Sequence, residues 1–440
     1  MIKQGIFVLL VIAAIWFFYI NVNKIVRNIN LGRDSKINDN KRKRWWLMFR
    51  VAIGQSKMTV RPVSGIMHIF VYAGFIIVNI EMLEILIDGI FGTHRLFAFA
   101  GRYYSILVSI FEFFAFAVLL GCLIFLIRRN ILRLKRFWSR EMTTWPRTDA
   151  NIILITEIIL MSAVLTMNAT DGILQTRQGV HYTAVGSFPI SSLLQPLYSG
   201  LGTDTLILIE RFCWWLHIVG VFAFLNYIPY SKHFHVFLAF PNVYYSKLRP
   251  KTEIENMPSI TREVKLMLDP NASVPAQEES TEQFPFGVKD LKDLTWKNIM
   301  DAYTCTECGR CTSSCPANIT GKMLSPRKIL MDIRDHAEIV GRDKAKKKDQ
   351  PDGGKSLFDY ISAEELWACT TCNACTQECP VNIDHVSIIL NMRRYLVMEK
   401  AAGPGELNAM FSNIENNGAP WQFSPEDRLL WANNLEMNSK

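Results

Sequence analysis

The sequence predicts an all-α protein: a five-helix transmembrane bundle joined to a cytoplasmic helical module. Long apolar runs fill the chain before about residue 240 and are nearly absent after it. The loops between those runs alternate between rich and poor in Lys and Arg. Eight of the ten cysteines sit in two short blocks toward the C-terminal end, with helix-start signals around them.

Crossing a hydrocarbon core takes about 20 apolar residues. The segments at about 4–23, 63–88, 103–127, 151–168 and 206–229 reach or approach that length, the fourth being the shortest. The first, "GIFVLLVIAAIWFFYI", is followed by "NVNKIVRN" and no small-residue cleavage site, so it reads as a retained helix. Between spans one and two, Lys24 to Arg61 holds eleven Lys and Arg; between spans two and three there are two, Arg95 and Arg102. Between spans three and four, Arg128 to Arg147 holds seven; between spans four and five there is one, Arg177. Positive loops stay inside. The N-terminus is therefore expected outside, and the C-terminal part in the cytoplasm, of a bacterial or archaeal inner membrane. The net charge of +8 is mostly this topology signal, and no nucleic-acid partner is expected. Residues 1–245 form the membrane domain, in contact with lipid. Residues 246–289 read as a linker crossed by few contacts, with Pro250, Pro258, Pro270, Pro275, Pro285 and the acidic run "EEST". Residues 290–400 form the soluble module and 401–440 a tail expected to dock a partner.

The cysteine blocks are "CTECGRCTSSCP" from Cys305 and "CTTCNACTQECP" from Cys369. Each reads C-x2-C-x2-C-x3-C-P, the bacterial 4Fe–4S run in which the fourth cysteine serves the other cluster. Three thiolates on one tight loop cap three corners of a cubane, and the fourth comes from across the module. Cluster one is assigned Cys305, Cys308, Cys311 and Cys379; cluster two is assigned Cys369, Cys372, Cys375 and Cys315. Two complete four-cysteine runs argue against structural zinc, which needs only four thiolates in all. Clustered thiols also suit a reducing compartment. Cys122 and Cys213, alone in apolar segments, read as buried small hydrophobes. Between the blocks, "SPRKILMDIRDHAEIV" is a helix opened by Ser325 and Pro326. A capping box at Ser362 starts another helix just before the second block. "KAKKKDQPDGGK" at 344–355 reads as a solvated loop. This helical spacing and the segments "LTWKNIMDAYTCTECGRCTSSCPA", "GKMLSPRKIL" and "LWACTTCNACTQECPVNI" resemble the heterodisulfide reductase C-subunit family. The resemblance implies an α-helical ferredoxin with two 4Fe–4S clusters.

Single electrons arriving at a membrane call for a one-electron carrier there, and helix histidines that hold haem b are the expected one. His68 lies near the start of span two. His217 and His235 are 18 residues apart on and just beyond span five. On one continuous helix that spacing is five full turns and about 27 Å, so both would face the same way at opposite membrane sides. A neutral histidine hydrogen-bonded to a neighbouring helix is the alternative for each.

"GQSKMTVRPVSGIMHIF" and "IPYSKHFHVFLAFPN" resemble the gamma subunit of respiratory nitrate reductase and the cytochrome b subunits of heterodisulfide reductase, across about 1–245. The resemblance implies that His235 pairs with His68 at one haem b. At a second haem the pattern departs: Val78 stands where His217 should find its partner, which leaves Asn79, Met82 and His94 as weak candidates. His217 would then hold a five-coordinate haem or a quinone. His233 is off the ligand face, and Lys232 would pair with a haem propionate or lie at the interface. Among the intramembrane acids Glu112, Glu157 and Glu210, Glu112 and Glu210 are candidate quinone-site residues, Glu210 as a proton acceptor or as an ion pair with Arg211.

The expected function is electron transfer between menaquinone or another quinone, haem b and two cytoplasmic 4Fe–4S clusters, with the chain as an electron-transfer subunit of an oxidoreductase. The tail "NNGAPWQFSPEDRLLWANNLEM" resembles a connector to a domain with CCG motifs. The resemblance implies a separate CCG-type iron–sulfur or dehydrogenase subunit as partner. No nucleotide-binding glycine fingerprint or nucleophile triad is visible. An iron–sulfur redox sensor, or a membrane anchor for the ferredoxin without haem, are the competing functions.

Overall fold

The computed structural model describes residues 2–177, 182, 186–269 and 285–432. Pro270, Pro275 and the acidic run at 278–281 lie outside the described residues. The described chain is helical throughout, with one isolated backbone bridge, Arg33 to Thr295, and no strand.

Five helices are long and apolar enough to cross a membrane. They contain α1 (Ile2–Ile29), α3 (Pro62–Phe91), α4 (Arg102–Leu126), α5 (Thr144–Arg177) and α6 (Thr203–Tyr227), while α2 (Lys41–Met48) is a short helix after α1. Helix α5 packs on α4 and α6, α3 packs on α4, and α1 lies against α6 and α3. Close approach needs small residues where lipid gives no hydrophobic drive. At Gly74 an added Cβ would sit 2.4 Å from Val118, and at Gly220 one would sit 2.6 Å from Leu160.

Helix α5 is longer than its apolar stretch suggests, spanning 34 residues. Hydropathy falls off at its ends because Asp149, Asn168, Thr170 and Asp171 are polar, yet all four are buried among neighbouring helices. Beyond α6 the chain does not continue as one helix. Pro229 follows the end of α6, Ser231 is extended (φ −114°, ψ 153°), and α7 begins afresh at His235 (His235–Tyr244). Proline cannot donate to the preceding turn. The five-turn phase between His217 and His235 is therefore not what relates them.

The module is built from α8 (Trp296–Thr304), α9 (Pro326–Ala345), α10 (Ala363–Trp367), α11 (His385–Met398) and, following them, α12 (Gly405–Asn417). Ser325 caps α9 by accepting the Lys328 amide, and Ser362 and Glu365 form the capping box of α10. The 344–355 stretch is less uniform than a solvated loop, since α9 runs to Ala345 and a short helical turn follows at Pro351–Gly354.

The module does not hang from the linker. One apolar core runs through both parts, with Ile25 and Ile29 of α1, Phe224 of α6 and Phe234 meeting Leu291, Ile299, Leu330 and Ile333. Polar contacts stitch the seam. The Asn28 side chain donates to the Tyr303 hydroxyl at 3.0 Å, the Arg33 amide donates to the Leu294 carbonyl at 2.8 Å, and the Trp296 amide donates to the Arg33 carbonyl at 3.0 Å. Gly341 is required here, because a Cβ would lie 1.9 Å from the Asn28 side-chain oxygen.

His336 on α9 joins two loops, with Nε2 2.9 Å from Asp290 and Nδ1 2.7 Å from Asp352. Burial opposes its charge, but the two carboxylates outweigh burial and raise its pKa above the ordinary value. A raised folded pKa stabilises most below the unfolded value of about 6.5, and the gain is lost as pH rises through the folded value. His336→Gln should therefore cost on the order of 1.5–3 kcal/mol at pH 6 and progressively less above neutrality. Thermal unfolding of the two proteins across pH 5.5–9 checks this; a penalty that grows with pH would refute it.

Candidate iron–sulfur loops and a histidine pair at the domain junction

The two cysteine blocks fold alike. In the first, Glu307 (φ 53°) and Gly309 (φ 71°) take left-handed conformations; in the second, Thr371 (φ 55°) and Asn373 (φ 59°) do so at the matching positions. Left-handed turns wind each loop so that successive thiols face one centre. A one-turn helix follows each, Arg310–Ser313 and Ala374–Glu378; then comes an extended cysteine, Cys315 or Cys379, with proline after it. Gly309 has no room for a side chain, since a Cβ would lie 2.6 Å from the Arg327 guanidinium.

The thiols fall into two sets. Cys305 and Cys311 lie in the fields of Cys308 and Cys379. Cys369 lies in the fields of Cys315 and Cys372, and Cys375 in those of Cys369 and Cys315. Each block's fourth cysteine thus sits with the other block's first three. Among the described residues no three Cys, His, Asp or Glu side chains converge tightly enough to hold a single ion. Burial pushes the Cys305 and Cys375 thiols up to about 12 and that of Cys379 up to about 11. Thiolates at these depths need a compensating cation. The Thr371 amide points at the Cys369 sulfur and the Ile383 amide at the Cys379 sulfur, both at 3.4 Å. Such bonds stabilise charge on sulfur. Of the eight cysteines only Cys372 is exposed.

The first set faces the bundle. Arg310, beside Cys311, donates to the Lys57 carbonyl at 2.9 Å, and Lys57 donates to the Cys379 carbonyl at 2.9 Å. Arg61 pairs with Glu378 at 3.0 Å. Arg327, fully buried, binds Glu141 at 2.6 Å and the Arg136 carbonyl at 2.8 Å. Lys232 is not free for a propionate. Its ammonium binds Glu307, inside the Cys305–Cys308 turn, and the Pro146 carbonyl at 2.6 Å, with Asp149 at 3.8 Å. Arg334 reaches the other oxygen of Glu307 at 2.8 Å. Burial opposes ionisation of Glu307, but Lys232 and Arg334 hold its carboxyl below the usual range.

His68 and His235 meet at this junction with ring centres 6.5 Å apart and planes tilted by 44°. Arg310 lies close enough to act on His68 through its charge. The His235 Nδ1 is 3.1 Å from the Lys232 carbonyl, which directs its Nε2 away from the backbone. His233 packs on His235 at 5.5 Å and on Phe224 at 5.4 Å. Deeper in the bundle, His217 is buried with Nδ1 3.2 Å from the Leu160 carbonyl. Met82 lies in the adjoining apolar cluster with Phe7 and Ile218, and Val78 packs among Leu160 and Met161. Asn79 is turned outward, exposed, and bonded to the Phe75 carbonyl of its own helix, so it does not face His217. His94 packs on Tyr182 at 5.3 Å.

The two acids expected at a quinone site are engaged. Glu112 accepts the Ile190 and Ser191 amides at 2.9 and 3.2 Å and the Asn168 side chain at 3.3 Å. Glu210 pairs with Arg211 at 3.0 Å, and Glu157 is half-buried on α5. Sequence reasoning missed Glu307, Arg310 and Arg327, whose partners lie far away in the chain. It also missed Glu81 and Glu84 on α3, where "EMLEILID" already displays acids at helical spacing.

Residues 304–383 match the model of the 4Fe–4S dicluster domain. The chain is 28% identical to the "Probable iron-sulfur-binding oxidoreductase FadF" of Bacillus subtilis, a match that takes in 97% of this chain and 60% of that protein. It is 26% identical to the "EtfAB:quinone oxidoreductase" of Syntrophomonas wolfei, over 90% of this chain and 54% of the relative. A shorter match, 29% identical over 32% of this chain and 35% of the relative, is to one of the subunits of the dihydromethanophenazine:CoB–CoM heterodisulfide reductase of Methanosarcina acetivorans. The chain thus spans a little over half the length of the first two relatives. No solved structure matches it. Iron–sulfur electron transfer is the chemistry these likenesses share.

Removing one partner of a buried ion pair leaves the other charge stranded, at a cost of about 3–5 kcal/mol. Lys232→Met should therefore destabilise the protein strongly. Adding Glu307→Gln should cost less in that background than in the wild type, because Glu307 has by then lost one of its two cations. Thermal unfolding of both single variants and the double variant, with iron content, measures the coupling; strict additivity would refute it.

Proposed function

We propose that the chain is the membrane electron-transfer subunit of a quinone-linked oxidoreductase. Electrons pass between a quinone or menaquinone, haem b at His68 and His235, and two 4Fe–4S clusters held by Cys305, Cys308, Cys311, Cys379 and by Cys369, Cys372, Cys375, Cys315. The observation that carries this reading is that Arg310, beside Cys311 in the first cysteine loop, lies close enough to act through its charge on His68, which itself meets His235.

The residues at the pair suit a haem iron. The rings of His68 and His235 stand 6.5 Å apart centre to centre and the His235 Nδ1 is oriented by the Lys232 carbonyl, so these two residues would hold the iron. The iron would supply one-electron chemistry; the protein's part is to orient both rings and keep them dry. The second cysteine set, with Cys372 exposed, is the side at which a soluble partner would exchange electrons. That partner is proposed to be a separate CCG-type iron–sulfur or dehydrogenase subunit, docked near the tail. The membrane end is proposed to lie with its N-terminus outside and the clusters in the cytoplasm, as the basic loops require.

A reduced-minus-oxidised optical spectrum of the detergent-purified protein, with a pyridine-haem count per chain, tests the reading. One b haem is expected, reducible by a menaquinol analogue; two would add His217 as a ligand. His68→Ala and His235→Ala should each remove the first haem and leave the 4Fe–4S electron paramagnetic signals intact. Full iron–sulfur content with no haem would overturn the cytochrome assignment.

A further inference from the structure

Helix α3 carries three acids on one face, Glu81, Glu84 and Asp88, at spacings of three and four residues. They cover about 10 Å along the helix, from the bundle interior to the end away from the ferredoxin module. Glu81 and Glu84 are 4% and 3% exposed, and Asp88 is half-buried at the helix end. Glu84 accepts the Phe97 amide at 2.8 Å and the Tyr104 hydroxyl at 2.7 Å. Asp88 accepts the Arg95 and Leu96 amides at 2.7 and 3.2 Å. Glu81 differs, because its Oε2 is buried with no hydrogen-bond partner. An orphaned carboxyl oxygen at membrane depth is costly and marks function.

Among the described residues no cationic side chain bonds Glu81 or Glu84 directly. Arg95 is the nearest cation, and it is committed to Asp171 at 2.8 Å and to Asn168 at 2.9 Å. Glu112 is saturated by amides from its own side, Glu210 takes Arg211, and His94 packs on Tyr182. Arg95 thus acts on Glu81 and Glu84 through its charge while its hydrogen bonds go to Asp171, Asn168 and the Tyr104 hydroxyl. Glu81 also sits in the layer of His217: its neighbour Met82 packs with Ile218, the residue after His217.

We propose that Glu81, Glu84 and Asp88 form a proton path through the far half of the bundle, with Glu81 as its inner terminus. The proposal rests on the quinone-linked reading above. A quinol oxidised in the bundle would release two protons, and its two electrons would pass to the one-electron centres that the eight cysteines would hold. Each proton binds the Glu81 carboxylate as a new O–H bond. It then passes to Glu84 and Asp88 and leaves to water, freeing Glu81 for the next. Quinone reduction runs the same steps in reverse. Asp171 and Asn168 act as positioning residues by holding Arg95 over the outer rungs.

Redox-difference infrared spectroscopy of the full chain, switched by dithionite and ferricyanide, tests this together with the rate of reduction by a soluble menaquinol analogue. The wild type should show a carboxylic-acid band that shifts in D2O. Glu81→Gln should abolish that band and slow quinol-driven reduction at least tenfold, with iron content and dithionite-reduced spectra unchanged. Glu84→Gln, which breaks the path one rung further out, should slow the reaction similarly, whereas Glu157→Gln should change neither readout. A band and rate in Glu81→Gln equal to wild type, while quinol still reduces the protein, overturn the path alone. A wild type that dithionite reduces and quinol does not overturns the quinone-linked reading, and the path with it.

Discussion

Lys232 carries its ammonium into a space closed by Asp149, the Pro146 carbonyl and Glu307. Glu307 lies inside the turn between two cysteines, so this one charge is shared between the bundle and the metal-binding loop. Desolvating both groups is costly, and the attraction in a dry interior offsets that cost only while the geometry holds. The pair therefore does little for stability by its existence and much for register by its intolerance of displacement. Arg327 on Glu141 repeats the arrangement beside the same loop, and Arg61 on Glu378 does so at the second cysteine block. A loop that must face a histidine pair a short distance away is thereby fixed by several separate ion pairs.

The apolar core that crosses the junction acts to the same end. Ile25 and Ile29 pack with Leu291 and Ile299, so the end of α1 is part of the module's interior. Helix α1 is otherwise little covered by protein, with only 11% of its most apolar window buried. Half of its buried residues, Ile25, Asn28 and Ile29, lie at the end where it meets α8. The two parts are joined by a shared interior, and the described linker residues add to it rather than few contacts crossing them: Val288 packs into the same core with its amide on the Asn391 carbonyl at 2.9 Å, and Lys251 reaches Gln377 at 2.8 Å.

Cysteine spacing made the metal-binding loops legible at once, because the chemistry demands that spacing and few other uses do. The capping residues Ser325 and Ser362 were legible for the same kind of local reason. What was not legible depends on distance in sequence. Lys232 and Glu307 are 75 residues apart, and Arg327 and Glu141 are 186 apart; neither side chain announces its partner. The extent of α5 was hidden because its buried polar ends lower the hydropathy that signals a span. The break after α6 was visible in Pro229, but periodicity counted straight through it. At Glu81, a strongly apolar helix masked acids whose spacing alone would have revealed a common face.

The Asn28–Tyr303 bond has a consequence for biosynthesis. Its partners are 275 residues apart. At about 5–20 residues per second, the ribosome delivers Tyr303 roughly 15–55 s after Asn28. Helix α1 waits through that interval with Asn28 lacking the hydroxyl it will bond. This end of α1 is thus completed long after it is made, and a nascent chain stalled before α8 would leave it exposed to quality-control proteases.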